Sequence, residues 1–515
     1  MVPTLGLTGV TVNAMALIAP GAFLWLTFQL QAAQTVPGGT DSTALDMWPG
    51  IIFALILAFL TALSYAELAR KYPEAGTGSS YYFAEKALLD RENPAHRRWS
   101  RLAKFITGWA AHLFYWVYPA AMVAFMATLV VYILGQFGID ISTSVAAQVG
   151  VCIIFSVIVG SIAVRGISGS TNVAIAINVI QLTALVVFSV LCIAFRSSNP
   201  LHLDVAAWYH PTAASIVVPH NLGNILVQST IAILILVGFE SSTALGAEAK
   251  DPKRDIPRGV ILSLIIQGIF AYLFEYFAAN YAMSSALTAK AADGTVLTGI
   301  AAAGVSSAPI GDLAIQVGNA LLGGNGFALM VILAITVAIA ILGTTLAAMN
   351  TAVRISFAMA QDNEMPEILG ALHGKYATPH TAIWIMVAFC SIVGSVGVIG
   401  GSTTLTGIAL ASNLGTFILY AMICVVTVVA FVGTGAFSLL KHGIVPVVGL
   451  ILNVVMILAI LFLYFQAGGV AVTEALIALG IAGVWLAVSV VYLLVNSRQT
   501  GTPIIPSASA MGGTD

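Results

Sequence analysis

Charge is what this sequence has least of. Among 515 residues, 19 are Lys or Arg and 21 are Asp or Glu, 8% in all, against about 25% in an ordinary soluble domain. So few ions cannot clothe a chain of this length in water, which excludes a string of soluble domains. The two signs nearly balance, so there is no basic surface for nucleic acid. Cysteine is scarce as well. Cys152, Cys192, Cys390 and Cys424 all lie inside apolar runs with no Cys-x-x-Cys spacing; they read as small core side chains, and no disulfide, metal site or cofactor is expected. Alternating segments of about ten residues, the mark of a membrane β-barrel, do not dominate.

What is abundant is apolar: 59% of the residues, gathered in long blocks. Blocks of about twenty residues cross a ~30 Å hydrocarbon core as helices. Twelve are expected, near 8–33, 48–69, 103–135, 144–165, 171–195, 222–246, 257–283, 326–360, 380–399, 404–432, 443–466 and 470–495. The third and eighth exceed what a bilayer needs, so they should tilt or run on beyond it. The chain reads as an all-α integral membrane protein with twelve transmembrane helices.

Orientation follows the basic residues. With the N-terminus in the cytoplasm, the inner loops hold 17 of the 19 Lys and Arg, and only Arg196 and Lys290 lie outside. Both termini are therefore expected in the cytoplasm of a multi-pass cell-membrane protein. The first eighteen residues have no charged n-region and run straight into a full span, so no cleavable signal peptide is expected. The inner loop 69–103, with RENPAHRRWSRLAK at its end, reads as a topological anchor touching anionic membrane lipids. The outer loop 284–325 should hold short helices, and the polar tail 499–515 should be disordered.

Two spans carry a break at corresponding places. LIAPGAF (17–23) puts Pro20 and Gly21 at mid-membrane, where Pro20 cannot donate to the helix ladder. LVGFESSTALG (236–246) puts Gly238 beside a carboxylate and a Ser-Ser-Thr run. Irregular backbone at this depth must line a cavity or be buried in protein. Breaks in the first and sixth spans, five apart, are the mark of an inverted-repeat transporter with its site between them.

Three motifs then resemble one family, the amino acid–polyamine–organocation transporters. YAELARKYPEAGTGSSYYFAEKAL (65–88) is similar to the segment after their second helix, GFESSTALGAEAKDPKRDIPRGV (238–260) to their sixth-helix signature and exit loop, and NTAVRISFAMAQDNEMP (350–366) to the end of their eighth helix. The resemblance implies a LeuT-like 5+5 inverted repeat, residues 1–196 and 197–432, with two extra C-terminal helices over 433–498. It also implies alternating-access transport of an amino acid or related amine by a permease, symporter or antiporter, and not an enzyme. One departure stands out. Where relatives show Gly-x-Gly amides for a carboxylate, this chain has Ala19, Pro20, Gly21 and Ala22, and Pro20 offers no N–H.

On that basis the substrate site is expected at Ile18, Ala19, Gly21 and Ala22 of span 1, Val237, Gly238, Phe239, Glu240 and Ser241 of span 6, Tyr115 of span 3, and Asn413 and Thr416 of span 10. Glu240 is read as a proton site, an ammonium ligand or a structural bridge. Glu275 is the other intramembrane carboxylate and a second candidate for proton coupling. Gating candidates are Phe23, Phe239, Tyr420 and Arg354, the last in an ion pair with Asp362. His112 reads as a packing histidine. Gln181 occupies the place where some relatives carry a lysine in lieu of sodium, and Thr344 and Thr345 could contribute to a sodium site. With no Arg or Lys near the breaks, a neutral or aliphatic amino acid is favoured over an acidic one, proton-coupled; the alternative is an amine or polyamine exchanger. A channel would show rings of carbonyls or charges, and a membrane enzyme a cluster of acid, base and nucleophile. Neither pattern is present.

Overall fold

In the computed structural model, residues 4–34, 42–166, 171–291 and 293–511 are described. Twelve helices long and apolar enough to cross a membrane run over Leu7–Ala32, Thr43–Lys71, Pro94–Gln136, Val145–Arg165, Ala174–Ser198, Leu222–Leu245, Pro252–Ala282, Gly326–Gln361, His380–Ile399, Gly401–Phe431, Leu439–Ala467 and Gly469–Thr500, numbered here spans 1 to 12. Hydrophobic run length located each of them. The largest displacement is at span 3, where the Asn93 side chain accepts from Ala95 N and starts a turn over Pro94–Arg97 ahead of the main helix. That helix, Ser100–Gln136, has 37 residues, about 55 Å at 1.5 Å per residue, so its arginine-bearing start stands clear of a ~30 Å core.

Burial sorts the spans into an inner and an outer set. Of the most apolar window, 78% is buried in span 6 and 72% in span 3, but only 17% in span 12. Spans 4, 11 and 12 instead expose Ile154, Phe462 and Val484, as helices bathed in lipid do. At the centre, small residues let backbones approach. A Cβ on Gly415 of span 10 would lie 2.9 Å from Phe114 N and 3.1 Å from Ala110 O of span 3, so span 10 rides directly on span 3.

The loop between spans 7 and 8 forms a hairpin, β1 (Thr288–Lys290) and β2 (Val296–Thr298), in addition to the expected short helices Gly299–Val305 and Pro309–Leu321. The second helix is tied down by Asp312, which accepts from Tyr132 Oη of span 3 at 2.9 Å and from Ser306 Oγ. At the opposite end, Leu5 bridges Ala249. The carbonyls of Thr502 and Pro503 accept from Arg101 Nη1, and the turn Ala508–Met511 follows. The segment after Arg498 thus continues the helix to Thr500 and then lies against the basic loop as far as Met511.

Candidate functional site

Span 1 is two helices. Leu7–Ile18 ends at Ala19, whose φ of 33° and ψ of 69° are left-handed, and Pro20–Ala32 begins at once. For a residue with a Cβ this conformation costs about 1–2 kcal/mol, and proline at the first position of the second helix loses no ladder bond by lacking an N–H. Carbonyls at the break find side-chain donors on neighbouring spans. Leu17 O accepts from Thr344 Oγ1 at 2.6 Å and Tyr118 Oη at 3.0 Å, Ile18 O from Tyr272 Oη, and Met15 O from Gln267 Nε2 at 2.9 Å. The amide of Gly21 donates to Gln181 Oε1 at 3.3 Å. Gln181 thus serves as an acceptor for the new helix's free amide, and its own Nε2 donates to Asn178.

Span 6 breaks in the same manner. It is α-helical over Leu222–Ala232, turns tighter over Ile233–Ile235, passes through Gly238 at φ 125°, and resumes as a narrow helix over Phe239–Leu245. Only glycine accepts that φ readily. The Ser-Ser-Thr run supplies donors to the broken backbone: Ser241 Oγ donates to Gly238 O at 2.6 Å, Ser242 Oγ to Phe239 O at 2.8 Å, and Thr243 Oγ1 to Glu240 O at 2.6 Å. The two breaks touch, since a Cβ on Gly238 would meet Leu17.

Glu240 is the hub of this region. It is buried, and its carboxylate accepts from Tyr115 Oη of span 3 at 3.0 Å, from Tyr420 Oη of span 10 at 2.9 Å, and from Gly238 N at 3.0 Å. Three donors from three pieces of backbone hold one carboxylate, which is how a buried charge is made tolerable. Aromatic rings close round it: Phe239 lies 5.4 Å from Tyr420, and Tyr65 of span 2 stands edge-on to both at 6.1 Å. Phe23 packs on Tyr118 at 5.9 Å.

The remaining expected residues divide. Ile18, Ala19, Ala22, Val237 and Phe239 are buried at or beside the breaks. Asn413 and Thr416 share the span 10 face with Tyr420, but Asn413 Nδ2 donates to Thr230 O at 2.7 Å and Thr416 turns back to Ser412 O, so only Tyr420 of that stripe reaches the hub. Glu275 is buried on span 7 beside Tyr272 and Tyr276, and neither of its oxygens has a hydrogen-bond partner among the described residues; it shares no bond with Glu240. His112 bonds Ser356 and stacks with Trp116, as a packing residue does. Thr345 bonds back to Ile341 O, while Thr344 reaches Leu17.

Arg354 needs a correction. Its partner is Glu248 at 2.7 Å, in the exit loop after span 6. Asp362 is taken by Lys104 at 3.0 Å. Arg354 lies two turns before Asp362 on the same helix, beyond the three- or four-residue spacing at which such pairs meet. The Arg354–Glu248 pair sits in a cavity of about 290 Å³ that Ser241, Asn13, Asn350 and Ile177 also line. It leads from the N-terminal end of the bundle up to the underside of the span 6 break. On the far side Gln31 and Gln228 bond each other, and Gln228 also reaches Thr43, so the halves of spans 1 and 6 remote from the cavity are pinned together.

Tyr65, Tyr118 and Tyr272 were not singled out from sequence. Tyr118 stands three residues after Tyr115 and Tyr272 three before Glu275, so helical spacing from those polar residues could have found both.

A family model for amino acid permeases matches residues 5–490. The branched-chain amino acid permease BcaP of Bacillus subtilis is 24% identical over 409 residues, 76% of this chain and 75% of that protein. Its namesake in Lactococcus lactis is 26% identical over 387 residues, 70% and 71% of the two chains. The low-affinity putrescine importer PlaP of Escherichia coli is 28% identical over 231 residues, 44% of this chain and 45% of that one.

Proposed function

The chain belongs to the amino acid permease family, and from that premise we propose that it carries a neutral, aliphatic amino acid across the cell membrane by proton-coupled alternating access. The observation that carries this reading is the Glu240 carboxylate at two facing helix breaks, shared between spans 3, 6 and 10. The substrate binds against the broken backbone, between Ile18, Ala19, Gly21 and Ala22 on one side and the Val237–Ser241 stretch on the other. Its carboxylate faces the amide end of the half-helix at Gly21, where the dipole favours an anion, and its ammonium faces carbonyls of the span 6 break. Phe23, Phe239 and Tyr65 supply apolar walls. The carboxyl side chains buried around the breaks, Glu240 and Glu275, disfavour an acidic side chain on the substrate. The similarity to branched-chain amino acid permeases supports the same class.

Protonation of Glu240 would convert an acceptor of three hydrogen bonds into a group that must donate one, loosening span 6 from Tyr115 or Tyr420. That supplies the coupling between a proton and the rocking of spans 1 and 6 against the rest, within the LeuT-like arrangement of two inverted repeats, residues 1–196 and 197–432. Both termini lie in the cytoplasm on this reading, so the cavity at Arg354 and Glu248 is the inner exit. Cysteine labelling from outside at position 290, with position 98 protected, is the expected pattern.

An amine or polyamine exchanger is the second reading. It is favoured by Pro20, which withholds one amide from a carboxylate, and by the similarity to a putrescine importer. Thermal stability of the purified protein separates the two, because a ligand bound only by the folded state raises it by mass action. Leucine, isoleucine or valine should raise the melting temperature and drive counterflow in proteoliposomes. A rise with putrescine and none with these amino acids would replace the first reading by the second.

A further inference from the structure

Apart from the cavity below the breaks, a second one of about 320 Å³ lies on the flank of the bundle. Phe105, Trp109 and Trp116 of span 3, Ile385 of span 9, and Trp485 and Val488 of span 12 form its walls. Ile385 is 40% and Val488 64% exposed, so it opens on the side that faces hydrocarbon. At one end it is lined by Phe105 and by Glu364, which pairs with Arg101 at the start of span 3.

Two features point to an occupant carrying both a chain and acceptor oxygens. The indole Nε1–H groups of Trp109 and Trp485 are buried in this wall and have no acceptor among the described residues. A buried donor without a partner is costly, and this cavity is too apolar for water to serve it well. The second feature is charge. At the basic end Lys104 is matched by Glu85 and Asp362, and Arg101 by Glu364, which lines the cavity floor. Arg97 and Arg98 have no carboxylate within ion-pairing distance among the described residues, and Arg98 Nε is a buried donor with no acceptor. Arg101 precedes Phe105 by four residues on the same helix face, and Arg98 lies in the turn just before that helix starts at Ser100.

We propose that this groove is a binding site for an anionic phospholipid of the adjacent leaflet, one acyl chain between spans 3, 9 and 12, its ester oxygens on Trp109 and Trp485, and its phosphate beside Arg98. Occupied, the groove braces span 3 against span 12 directly behind His112 and Trp116, which both bond Ser356 of span 8. The site is independent of which solute the protein carries.

The test is native mass spectrometry of the full-length protein in mild detergent after reconstitution with phosphatidylglycerol or phosphatidylethanolamine. Wild type should retain one phosphatidylglycerol per chain, at least about fivefold more than phosphatidylethanolamine, and gain melting temperature from it. Val488→Trp, which fills the mouth, should lose the adduct, whereas Ile154→Trp on the lipid face of span 4 should keep it. The double change Trp109→Phe and Trp485→Phe keeps two rings in the wall and removes only the donors, so a folded protein with weakened retention supports the oxygen contacts. Retention by Val488→Trp equal to wild type, or equal retention of the two lipids, would overturn the proposal.

Discussion

Gly238 faces Leu17 across the two helix breaks so closely that a Cβ built on it would fall 2.8 Å from the Leu17 Cβ. Real Cβ atoms do not approach so near, and the φ of 125° at Gly238 already excludes an ordinary side chain. Gly238→Ala should therefore cost about 1–3 kcal/mol in backbone strain and about as much again in overpacking, and it should abolish uptake. Gly21→Ala meets the Gln181 Cβ at 3.2 Å and Oε1 at 3.3 Å, a tight contact but without a positive φ to strain, and should be milder. Uptake normalised to folded protein in the membrane measures both. Wild-type transport by Gly238→Ala would remove the breaks from the mechanism.

Glu240→Gln fixes the neutral form. Under proton coupling it should abolish uphill uptake and its pH dependence between pH 5 and 8 while sparing exchange. If Glu240 instead binds an ammonium, the loss of a charge-assisted hydrogen bond, about 1.5–3 kcal/mol, should raise Kd at least about tenfold at every pH. Tyr115→Phe and Tyr420→Phe each remove one donor and should shift the pH profile without abolishing binding. An unchanged profile in all three variants would leave Glu240 a structural bridge.

Arg354 and Glu248 are each about a quarter exposed at the mouth of the cavity, so their pairing contributes about 1 kcal/mol or less. That is still enough to shift a balanced equilibrium several-fold. Glu248→Gln should open this side more often, and a cysteine at Ser241 should then be labelled faster from that side. The charge reversal Arg354→Glu with Glu248→Arg should restore the slow rate. Labelling indifferent to these changes would show that the pair does not gate.

Asp312, in the loop helix outside the spans, is held above the usual carboxylate range by burial, which outweighs the hydrogen bonds from Ser306 and Tyr132. A raised carboxylate favours the seated, protonated loop at low pH. The stability it lends is full below about 3.9 and is lost as pH rises through the raised value. Amide exchange over 299–321 should therefore speed up from pH 4 to 7 beyond its intrinsic rise. Asp312→Asn should lose that excess.

The spans were legible because length and hydropathy set them, and the breaks because proline, glycine and a carboxylate at membrane depth each violate a helix rule. The hydrogen bonds that repair the breaks were not legible. Thr344 and Tyr118 reach Leu17 O over more than 100 residues of sequence, and nothing local to either marks the partner. Asn413 shows the converse. Its place in a polar stripe on span 10 was visible, yet the Thr230 carbonyl released where span 6 tightens claims its amide group, and that demand belongs to the tertiary structure. Arg354 was paired with an acid nearby in sequence when its partner sits in the exit loop, brought round by the packing of span 6 beside span 8.

At Gln181 the direction of a single hydrogen bond has a consequence for how this site can be altered. The Gly21 amide gives its proton to the Gln181 oxygen, so the side chain there has to be electron-rich toward span 1. A lysine in its place would present only protons to an amide that also presents a proton, and the two would have to part. A cation at this position is therefore a reversal of polarity at the seam and would not come as a conservative exchange. A glutamate, by contrast, keeps the acceptor and adds a negative charge, so the position is open to one sign of ion and closed to the other.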